Sequence, residues 1–423
     1  MRIGSSKQQE EQLAPGQEQA QTQAPAGNAQ GDKKRHAALS PAEEAQRSLK
    51  VDLRPQLMAL DAKSLRRKTI IVGLLLLVVA GVSLCVDLYQ GRMASPVEVL
   101  QIYALWVQQC IANLTGDPNA MTPAQLMELY PSYYSMLGRA ATTFVTVLAG
   151  ALLALAGTLY QSVFKNPIAS PSMLGVSGGI QLGHMLLVLI FGTSAATLTG
   201  WRYGFVYGFA LAMLVLIFIL SKIMSGKGKP LNIINMLVMG TIMSQLASVI
   251  VTYVSWNVFD DEMWTIYNNL SEVLSVDTSG VAIAILLVMT VVSVLPVLLL
   301  RFRLNVLSFS EQDMRMLGVN AHGVQLVALT CGTLMMIGSQ VAVGTVSMIS
   351  LVVPHISRSL FGAEFRKQFV GNILLGALLL VLCRVILSFV PAIASWLPIG
   401  TVVSIVVLPA FVWILAMQQR SWE

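Results

Sequence analysis

The chain has 423 residues, of which 55% are hydrophobic and only 11% are charged, and its formal net charge is +6. A soluble globular chain carries about 25% charged residues, so this composition excludes an ordinary soluble domain and indicates a polytopic membrane protein. The basic residues lie in short loops between apolar runs, which argues against a nucleic-acid partner. The four cysteines are scattered without metal-site spacing, so we expect no metal ion and no cofactor on this chain.

The first 66 residues differ in composition from the rest. Residues 1–31 are rich in Gln, Ala, Glu and Gly and contain no apolar run, which is typical of a disordered segment. Ser40-Pro41-Ala42-Glu43 matches a capping box with proline at the first helical position, so a short helix is expected there, and Pro55 is expected to break it. The sequence predicts a polar, disordered tail over residues 1–66 and a transmembrane domain over residues 67–423.

Apolar runs recur through residues 67–423. A transmembrane helix needs about 20 predominantly apolar residues. Ten segments approach or reach this length, and the eighth is the shortest: 69–88, 139–163, 172–194, 202–223, 232–256, 279–301, 322–344, 346–361, 369–390 and 398–418. We therefore predict an all-α polytopic membrane protein with about ten transmembrane helices and with both termini on the same side.

Lysine and arginine are concentrated on one side of the predicted bundle. They occur at 66–68, 222–229, 301–315 and 358–367, whereas Asp260, Asp261 and Glu262 lie in a loop on the opposite side. Cytoplasmic loops of membrane proteins carry an excess of Lys and Arg. The pattern predicts that the N- and C-termini are both cytoplasmic.

The stretch from Gly150 to Gly183 joins two apolar helices through a proline-bracketed turn. Small residues recur every third or fourth position on both helices, and such stripes let helix backbones approach closely in lipid. Pro167 and Pro171 each remove an N–H and hold the preceding residue in an extended conformation, so the helix must break between the spans. Irregular backbone at membrane depth is tolerated only where protein or a water-filled cavity covers it. This turn is therefore predicted to be a re-entrant or gate-forming loop.

The same stretch resembles a family signature: a Gly-rich helix, Gln, and then Asn-Pro-[Leu/Ile]-Ala-x-Pro-x-x-Leu-Gly-Val-x-x-Gly. That signature is typical of permeases of the vitamin B12 and iron-siderophore ABC importers (the FecCD/vitamin B12 type). The residues that fill it without a gap are Gln161, Asn166, Pro167, Ile168, Ala169, Pro171, Leu174, Gly175, Val176 and Gly179. The resemblance extends over residues 69–418.

This resemblance implies the fold of a type II ABC importer permease, which translocates an iron-siderophore, haem or cobalamin-like metal chelate across the bacterial cytoplasmic (inner) membrane. It also implies four kinds of contact: a second permease subunit (identical or homologous), two ABC ATPase subunits that hold ATP and Mg²⁺, an extracytoplasmic substrate-binding protein, and the lipid bilayer. The positions that match the family's cytoplasmic gate are Asn166, Pro167 and Ile168. The positions that it implies as structural are Gln161, Gly175 and Gly179.

The loop between the sixth and seventh predicted spans can hold a short helix. Ser310 suits an N-cap, acidic residues follow in the first turn, and Leu317-Gly318 can end the helix. Taken alone, this loop fits either a docking element or a plain surface linker. The segment 304–308 and Leu317-Gly318-Val319 are similar to the family's coupling loop, which fits a groove on the ATPase. The resemblance therefore implies an ATPase coupling loop with Leu304, Ser310, Glu311, Asp313, Arg315, Leu317 and Gly318.

A third motif covers residues 344–358. It is similar to the family's Gly-x-[Ile/Val]-x-Phe-[Ile/Val]-Gly-Leu-[Ile/Val]-[Ile/Val]-Pro-His-[Ile/Val]-x-Arg, with Met348 in place of Phe and Ser350 in place of Gly. Pro354 should kink the span. We interpret Pro354, His355 and Arg358 as structural residues near the cytoplasmic end of this span.

The resemblance weakens on the predicted outer face. Family members often carry Arg-x-Pro-Arg before the second span, and that run is implicated in docking the binding protein through its carboxylates. Only its last arginine is present here, so Arg139 is the docking candidate. Arg384, in the ninth predicted span, is expected either to snorkel outward or to line the pathway.

Two other functions fit the sequence less well. An ion-coupled secondary transporter usually needs a carboxylate inside the membrane, and no Asp or Glu lies in the interior of a predicted span. An intramembrane serine protease is suggested by the Gly-x-Ser-x-Gly pattern at 175–179. However, a serine nucleophile needs a base within hydrogen-bond reach, and His184 lies two turns along the same helix. No Gly-x4-Gly-Lys-[Ser/Thr] occurs, so we expect this chain not to be an enzyme and ATP hydrolysis to reside in a partner.

Overall fold

The computed structural model describes residues 41–86, 94–115, 121–130, 132–226, 232–271, 278–307, 309, 311–362, 364–390 and 397–420. Among these residues the regular elements are helices, as predicted for an all-α membrane protein. The chain divides into two units, residues 1–59 and residues 60–423. The first unit is described only from Pro41, as part of a helix.

Fifteen α-helices follow one another along the described residues. They are α1 Pro41–Cys85, α2 Pro96–Thr115, α3 Pro123–Leu129, α4 Tyr133–Phe164, α5 Val176–Phe191, α6 Thr199–Ser225, α7 Ile233–Asn257, α8 Asp261–Ser271, α9 Gly280–Leu299, α10 Arg301–Val306, α11 Glu311–Met316, α12 Ala321–Val343, α13 Met348–Phe361, α14 Phe365–Ser388 and α15 Ile399–Arg420. Short 3₁₀ turns at Pro171–Leu174 and Gly192–Ala196 flank α5.

Eight segments of the described residues are long and apolar enough to cross a membrane: 62–85 of α1, α4, 176–195, 200–225 of α6, α7, α9, α12 and α14. Two shorter apolar helices, Met348–Phe361 and Ile399–Pro409, complete the set. These ten segments correspond one to one with the ten predicted spans. The eighth was predicted as the shortest, and α13 is a helix of only 14 residues.

The first helix is longer than the sequence predicts. A disordered tail was expected up to residue 66, with a break at Pro55, whereas α1 begins at Pro41 and continues through Pro55 to Cys85. The polar part of α1 is rich in Ala, Glu, Gln, Leu, Lys and Arg, which are strong helix formers, and this preference accounts for the difference. Residues 1–40 lie outside the described residues, so the disordered tail and the division at residue 66 stay predictions.

The core of the bundle is built around α4, which contacts α12, α13 and α14. Gly150 on α4 and Gly376 on α14 face each other, and a Cβ placed on either would overlap the carbonyl oxygen of the other. Gly157 lies against the backbone of Ser350 on α13 in the same way. The small residues predicted to permit close packing therefore do so against specific partner helices.

Hydrogen bonds made by polar side chains join the same helices inside the core. The hydroxyl groups of Tyr160 on α4 and Thr333 on α12 are hydrogen-bonded, and Asn372 on α14 donates to Thr158 on α4. Ser339 Oγ on α12 shares its single hydrogen between the carbonyl oxygens of Met335, at 2.8 Å, and of Ala149 on α4, at 3.2 Å. Because water is absent from the hydrocarbon region, such bonds satisfy polar groups that lipid could not.

The two ends of the bundle differ. One end, here called the loop end, carries the turn 165–175, α10 and α11. The opposite end carries α2, α3 and α8. There α2 packs across the start of α4, where Tyr103 donates a 2.7 Å hydrogen bond to the carbonyl oxygen of Met136. Burial raises the pKa of Tyr103, so its hydroxyl group remains protonated and keeps this bond.

Candidate gate and coupling site

The chain breaks its helical path after α4, at the predicted position. Lys165 adopts a left-handed conformation with φ 49°, and the side-chain oxygen of Asn166 then accepts a 3.0 Å hydrogen bond from the N–H of Ile168. The carbonyl oxygen of Asn166 accepts a second bond from the N–H of Ala169, at 3.1 Å. Asn166, Pro167 and Ile168 are all exposed, so the tip of this turn is accessible at the loop end.

Two glycines fix the start of α5 against its neighbours. Gly175 has φ 72°, and a Cβ on it would overlap the carbonyl oxygen of Gly240 on α7. A Cβ on Gly179 would lie 2.7 Å from the carbonyl oxygen of Phe209 and 2.9 Å from Cα of Ala210, both on α6. The left-handed backbone conformation requires glycine at position 175, and close packing against α6 requires it at position 179.

The turn is attached to the start of α13. Gln161 Nε2 donates to the carbonyl oxygen of Leu351 at 2.9 Å. Ser350 Oγ donates to the carbonyl oxygen of Ser347 at 2.7 Å and lies 3.0 Å from Ser170 Oγ, so Ser170 is the donor of this hydroxyl pair. Ser350, which replaces the family's usual glycine, therefore holds the turn with a hydrogen bond that glycine could not form.

The segment from α10 to α11 combines buried anchors with exposed apolar side chains. Leu304, Leu307 and Met314 are at most 2% exposed. The exposed apolar side chains are Phe302, Phe309, Met316 and Leu317. The segment is thus rooted in the bundle and presents an apolar surface at the loop end.

The short helix predicted in this loop is present as α11. It ends with a bond from the N–H of Val319 to the carbonyl oxygen of Met314, 3.0 Å long, and Gly318 is left-handed with φ 69°. Asp313 is partly buried. Ser310, the predicted N-cap, lies outside the described residues, as do the side chains of Glu311 and Arg315, although the backbone of both belongs to α11.

Two hydrogen bonds connect this segment to the rest of the loop end. Lys165 Nζ donates to the carbonyl oxygen of Phe309 at 2.6 Å and so joins the turn after α4 to the α10–α11 segment. Asn305 Oδ1 accepts from the N–H of Phe365 at 2.7 Å and joins α10 to the first residue of α14. The α10–α11 segment is therefore hydrogen-bonded both to the residue that follows α4 and to the start of α14.

The three sequence motifs meet around one cavity of about 260 Å³ at the loop end. Its lining includes Gln161, Lys165, Asn166, Pro167, Leu304 and Arg358. The three motifs are distant from one another in sequence, so their meeting is a property of the fold.

Comparison with known proteins identifies the family. The model of the FecCD transport family matches residues 104–417, which is most of the chain. The chain belongs to the FecCD transport family.

Individual proteins agree with this membership. The Fe(3+) dicitrate transport system permease protein FecC of Escherichia coli is 31% identical over 278 residues, covering 66% of this chain and 81% of that protein. The vitamin B12 import system permease protein BtuC of Citrobacter koseri is 28% identical over 331 residues, covering 78% and 95%. A solved structure of an inward-facing ABC transporter, assigned to the metal-chelate type, matches with a TM-score of 0.61 at 19% identity and covers 83% of this chain and 99% of that one. This FecCD protein is therefore a transport permease embedded in a membrane, and its fold is that of an ABC transporter permease.

The remaining motif residues of this FecCD protein lie away from the cavity lining. Pro354 and His355 are buried in α13, and the His355 ring stands edge-on to Phe411 with their centroids 6.0 Å apart. Arg139 lies near the start of α4, at the end opposite the loop end, and donates a 3.4 Å bond to the carbonyl oxygen of Cys85. Its docking role stays a prediction.

The expectation for Arg384 is wrong. The side chain is only 4% exposed, and its Nη1 lies 3.3 Å from the hydroxyl of Thr143 on α4, which in turn bonds Ser83 on α1. Arg384 therefore neither snorkels outward nor faces an open path within this subunit. The position of Arg384 along a predicted span does not reveal which neighbouring helices cover its side chain.

Sequence reasoning missed Lys165 and Asn305 as connecting residues of the loop end. Lys165 directly precedes the Asn-Pro turn and so holds the position where a helix commonly ends in a left-handed residue, a signal that could have pointed to it. No three His, Cys, Asp or Glu side chains come together as a metal site within the described part of the chain. That this chain binds no cofactor stays a prediction.

Proposed function

We propose that this chain is the membrane permease subunit of an ATP-binding cassette importer for a metal chelate, of the iron-siderophore, haem or cobalamin-like class. Family membership supports the transport role, and relatives named for ferric dicitrate and vitamin B12 support the cargo class. The structural observation that carries the proposal is the direct bond between the turn after α4 and the α10–α11 segment. An importer driven by a separate ATPase requires such a link between its gate and the segment that contacts the ATPase.

The α10–α11 segment is the proposed contact with the ATPase subunits. Its exposed apolar side chains resemble the core of a protein–protein interface, while Leu304, Leu307 and Met314 hold the segment in the bundle. A segment anchored in this way moves together with the helices that it packs against when its partner displaces it, because a packed core is not continuously deformable. ATP-driven closure of two ATPase subunits would therefore displace α10.

The turn at Asn166, Pro167 and Ile168 is the proposed gate. Ile168 is 54% exposed, so the tip presents an apolar side chain that can constrict a pathway between this subunit and a second permease. Lys165 would carry the displacement of the α10–α11 segment to the turn, and Asn305 would carry it to α14. Opening would then follow from movements of α4 and α14 together.

The loop end is proposed to face the cytoplasm, with both termini on that side, because lysine and arginine are concentrated there. The opposite end would then meet an extracytoplasmic binding protein, with Arg139 as one contact. The membrane would be the bacterial cytoplasmic membrane.

Reconstitution of the permease with its ATPase and binding protein tests this proposal. We expect vanadate-sensitive, ATP-dependent uptake of a labelled ferric siderophore, haem or cobalamin into proteoliposomes, and none when the ATPase is omitted. Uptake driven by a proton gradient without the ATPase would contradict the proposal. That outcome is not expected, because the described membrane-spanning segments contain no Asp or Glu.

A further inference from the structure

Among the described residues, the lining of the cavity at the loop end contains two cations and no carboxylate. Its ten lining residues include Lys165 and Arg358 but no Asp or Glu. It lies among α4, α10, α13 and α14, and its volume of about 260 Å³ is just below the usual range for drug-sized pockets, about 300–1,000 Å³. A space of this size and charge suits a small anion or a lipid head group.

Arg358 is the cation that most needs a partner. It is partly buried in the last turn of α13, and its guanidinium forms no hydrogen bond or ion pair with the described side chains. A guanidinium carries five N–H donors in a planar fork that fits two oxygens of a phosphate group. Partial removal of this group from water without a partner is unfavourable, so an anion in the cavity would stabilise this arrangement.

Gln161 has an acceptor atom that is unpaired among the described residues, so we expect the ligand to carry a hydrogen-bond donor. Its side chain is 2% exposed, and its Nε2 already donates to Leu351. Its Oε1 is buried and accepts no hydrogen bond from the described residues. Buried amide oxygens are normally paired, so a ligand that carries an O–H beside its negative charge would satisfy Gln161 and Arg358 together.

We propose that this cavity binds a phosphate-type anion with its own O–H donor. Two sources carry this chemistry: a free hydrogen phosphate ion and the glycerol phosphate head group of phosphatidylglycerol. Because the lining comes from the turn after α4 and from α10, α13 and α14, the bound anion would also hold the gate turn and the coupling segment together. Anion binding itself does not depend on the proposed transport function.

Thermal unfolding of the purified full-length chain in detergent tests for the free anion. At constant ionic strength, inorganic phosphate is expected to raise Tm in a saturable way, by about 2 °C well above its Kd. Arg358→Gln should abolish the shift. Arg366→Gln, an exposed arginine on α14 that does not line the cavity, is the matched control and should keep it. Sulfate lacks the O–H at neutral pH, and an equal shift with sulfate would overturn the donor requirement.

Native mass spectrometry of protein from phosphatidylglycerol and phosphatidylcholine nanodiscs tests for the lipid source. If free phosphate gives no shift, phosphatidylglycerol adducts that Arg366→Gln retains and Arg358→Gln loses would assign the site to the lipid. If Arg358→Gln does not fold, Lys165→Gln removes the other, exposed cation and should weaken the same binding at least threefold.

Absence of both phosphate and lipid binding overturns the proposal. So would the finding that Arg358 matters only for assembly with the ATPase, since the cavity would then receive an acidic side chain of that protein. Neither binding measurement needs ATP, a binding protein or a cargo. A failure of this proposal is therefore distinguishable from a failure of the transport function.

Discussion

At the residue scale, glycine at position 157 is a steric requirement. A Cβ there would overlap the carbonyl oxygen of Ser350, which is backbone and cannot rotate away. We predict that Gly157→Ala forces α4 and α13 apart and destabilises the protein by about 1–3 kcal/mol, although alanine is the better helix former. Thermal unfolding in detergent measures this.

Gly204 on α6 is the matched control, because nothing lies within 4 Å of a Cβ placed there. Gly204→Ala should leave Tm unchanged or slightly raised. Equal losses in the two variants would show that the close contact at Ser350 is not what restricts position 157.

The side chain of Asn166 stabilises the turn through one acceptor atom. Its Oδ1 bonds the N–H of Ile168, and losing such a bond costs about 1 kcal/mol. If the turn is the gate, Asn166→Ala should shift its open–closed equilibrium by about fivefold, so that ATP hydrolysis continues while uptake per ATP falls.

Asn166→Asp keeps an acceptor at the same position and should restore most of the coupling between hydrolysis and uptake. Both rates are measured in the same proteoliposomes. Unchanged uptake per ATP in Asn166→Ala would show that this turn does not control the pathway.

At the element scale, two methionines of the α10–α11 segment allow its contribution to protein stability and its contribution to partner binding to be tested separately. Met314 is fully buried, and Met314→Ala should cost about 2–5 kcal/mol of stability. Met316 is 78% exposed, so Met316→Ala should change stability by less than about 0.5 kcal/mol. If the segment docks on the ATPase, Met316→Ala should still weaken ATPase binding at least fivefold. Calorimetric unfolding and pull-down titration measure the two effects. A variant at 316 that binds the ATPase normally would remove this side chain from the interface.

The elements themselves followed from the sequence wherever one physical signal dominated. The ten apolar runs became ten apolar helices because lipid leaves the backbone no other way to satisfy its hydrogen bonds. The break at Pro167 and Pro171 followed from missing N–H groups and restricted backbone geometry. At Pro55 the same reasoning failed, since the helix-forming residues on both sides carried α1 through it.

The connections between elements were not predictable in the same way. The Lys165–Phe309 bond joins residues 144 positions apart, and the burial of Arg384 depends on Thr143 and Ser83 from two other helices. Periodicity and local motifs describe one element at a time. The resemblance identified the residues of the site but not their hydrogen bonds. One example is the bond between Ser170 and Ser350, which depends on serine in place of the family's usual glycine at position 350.

At the scale of the whole molecule, orientation in the membrane is the property on which the direction of transport depends. The two ends of the bundle offer exposed positions for labelling: Met224 near the end of α6 at the loop end, and Trp256 near the end of α7 at the opposite end. We predict that Met224→Cys reacts with a membrane-impermeant maleimide only in inside-out vesicles, and Trp256→Cys only in right-side-out vesicles.

The labelling needs a background without the four natural cysteines. Cys331 and Cys383 are buried and are best replaced by alanine, whereas Cys85 and Cys110 are partly exposed and can become serine. Each reporter is the other's control, because leaky vesicles would label both. If Met224→Cys reacted from outside the cell, the α10–α11 segment would face away from any cytoplasmic ATPase. A cytoplasmic ATPase could not then bind the α10–α11 segment, and ATP hydrolysis could not be coupled to transport through it.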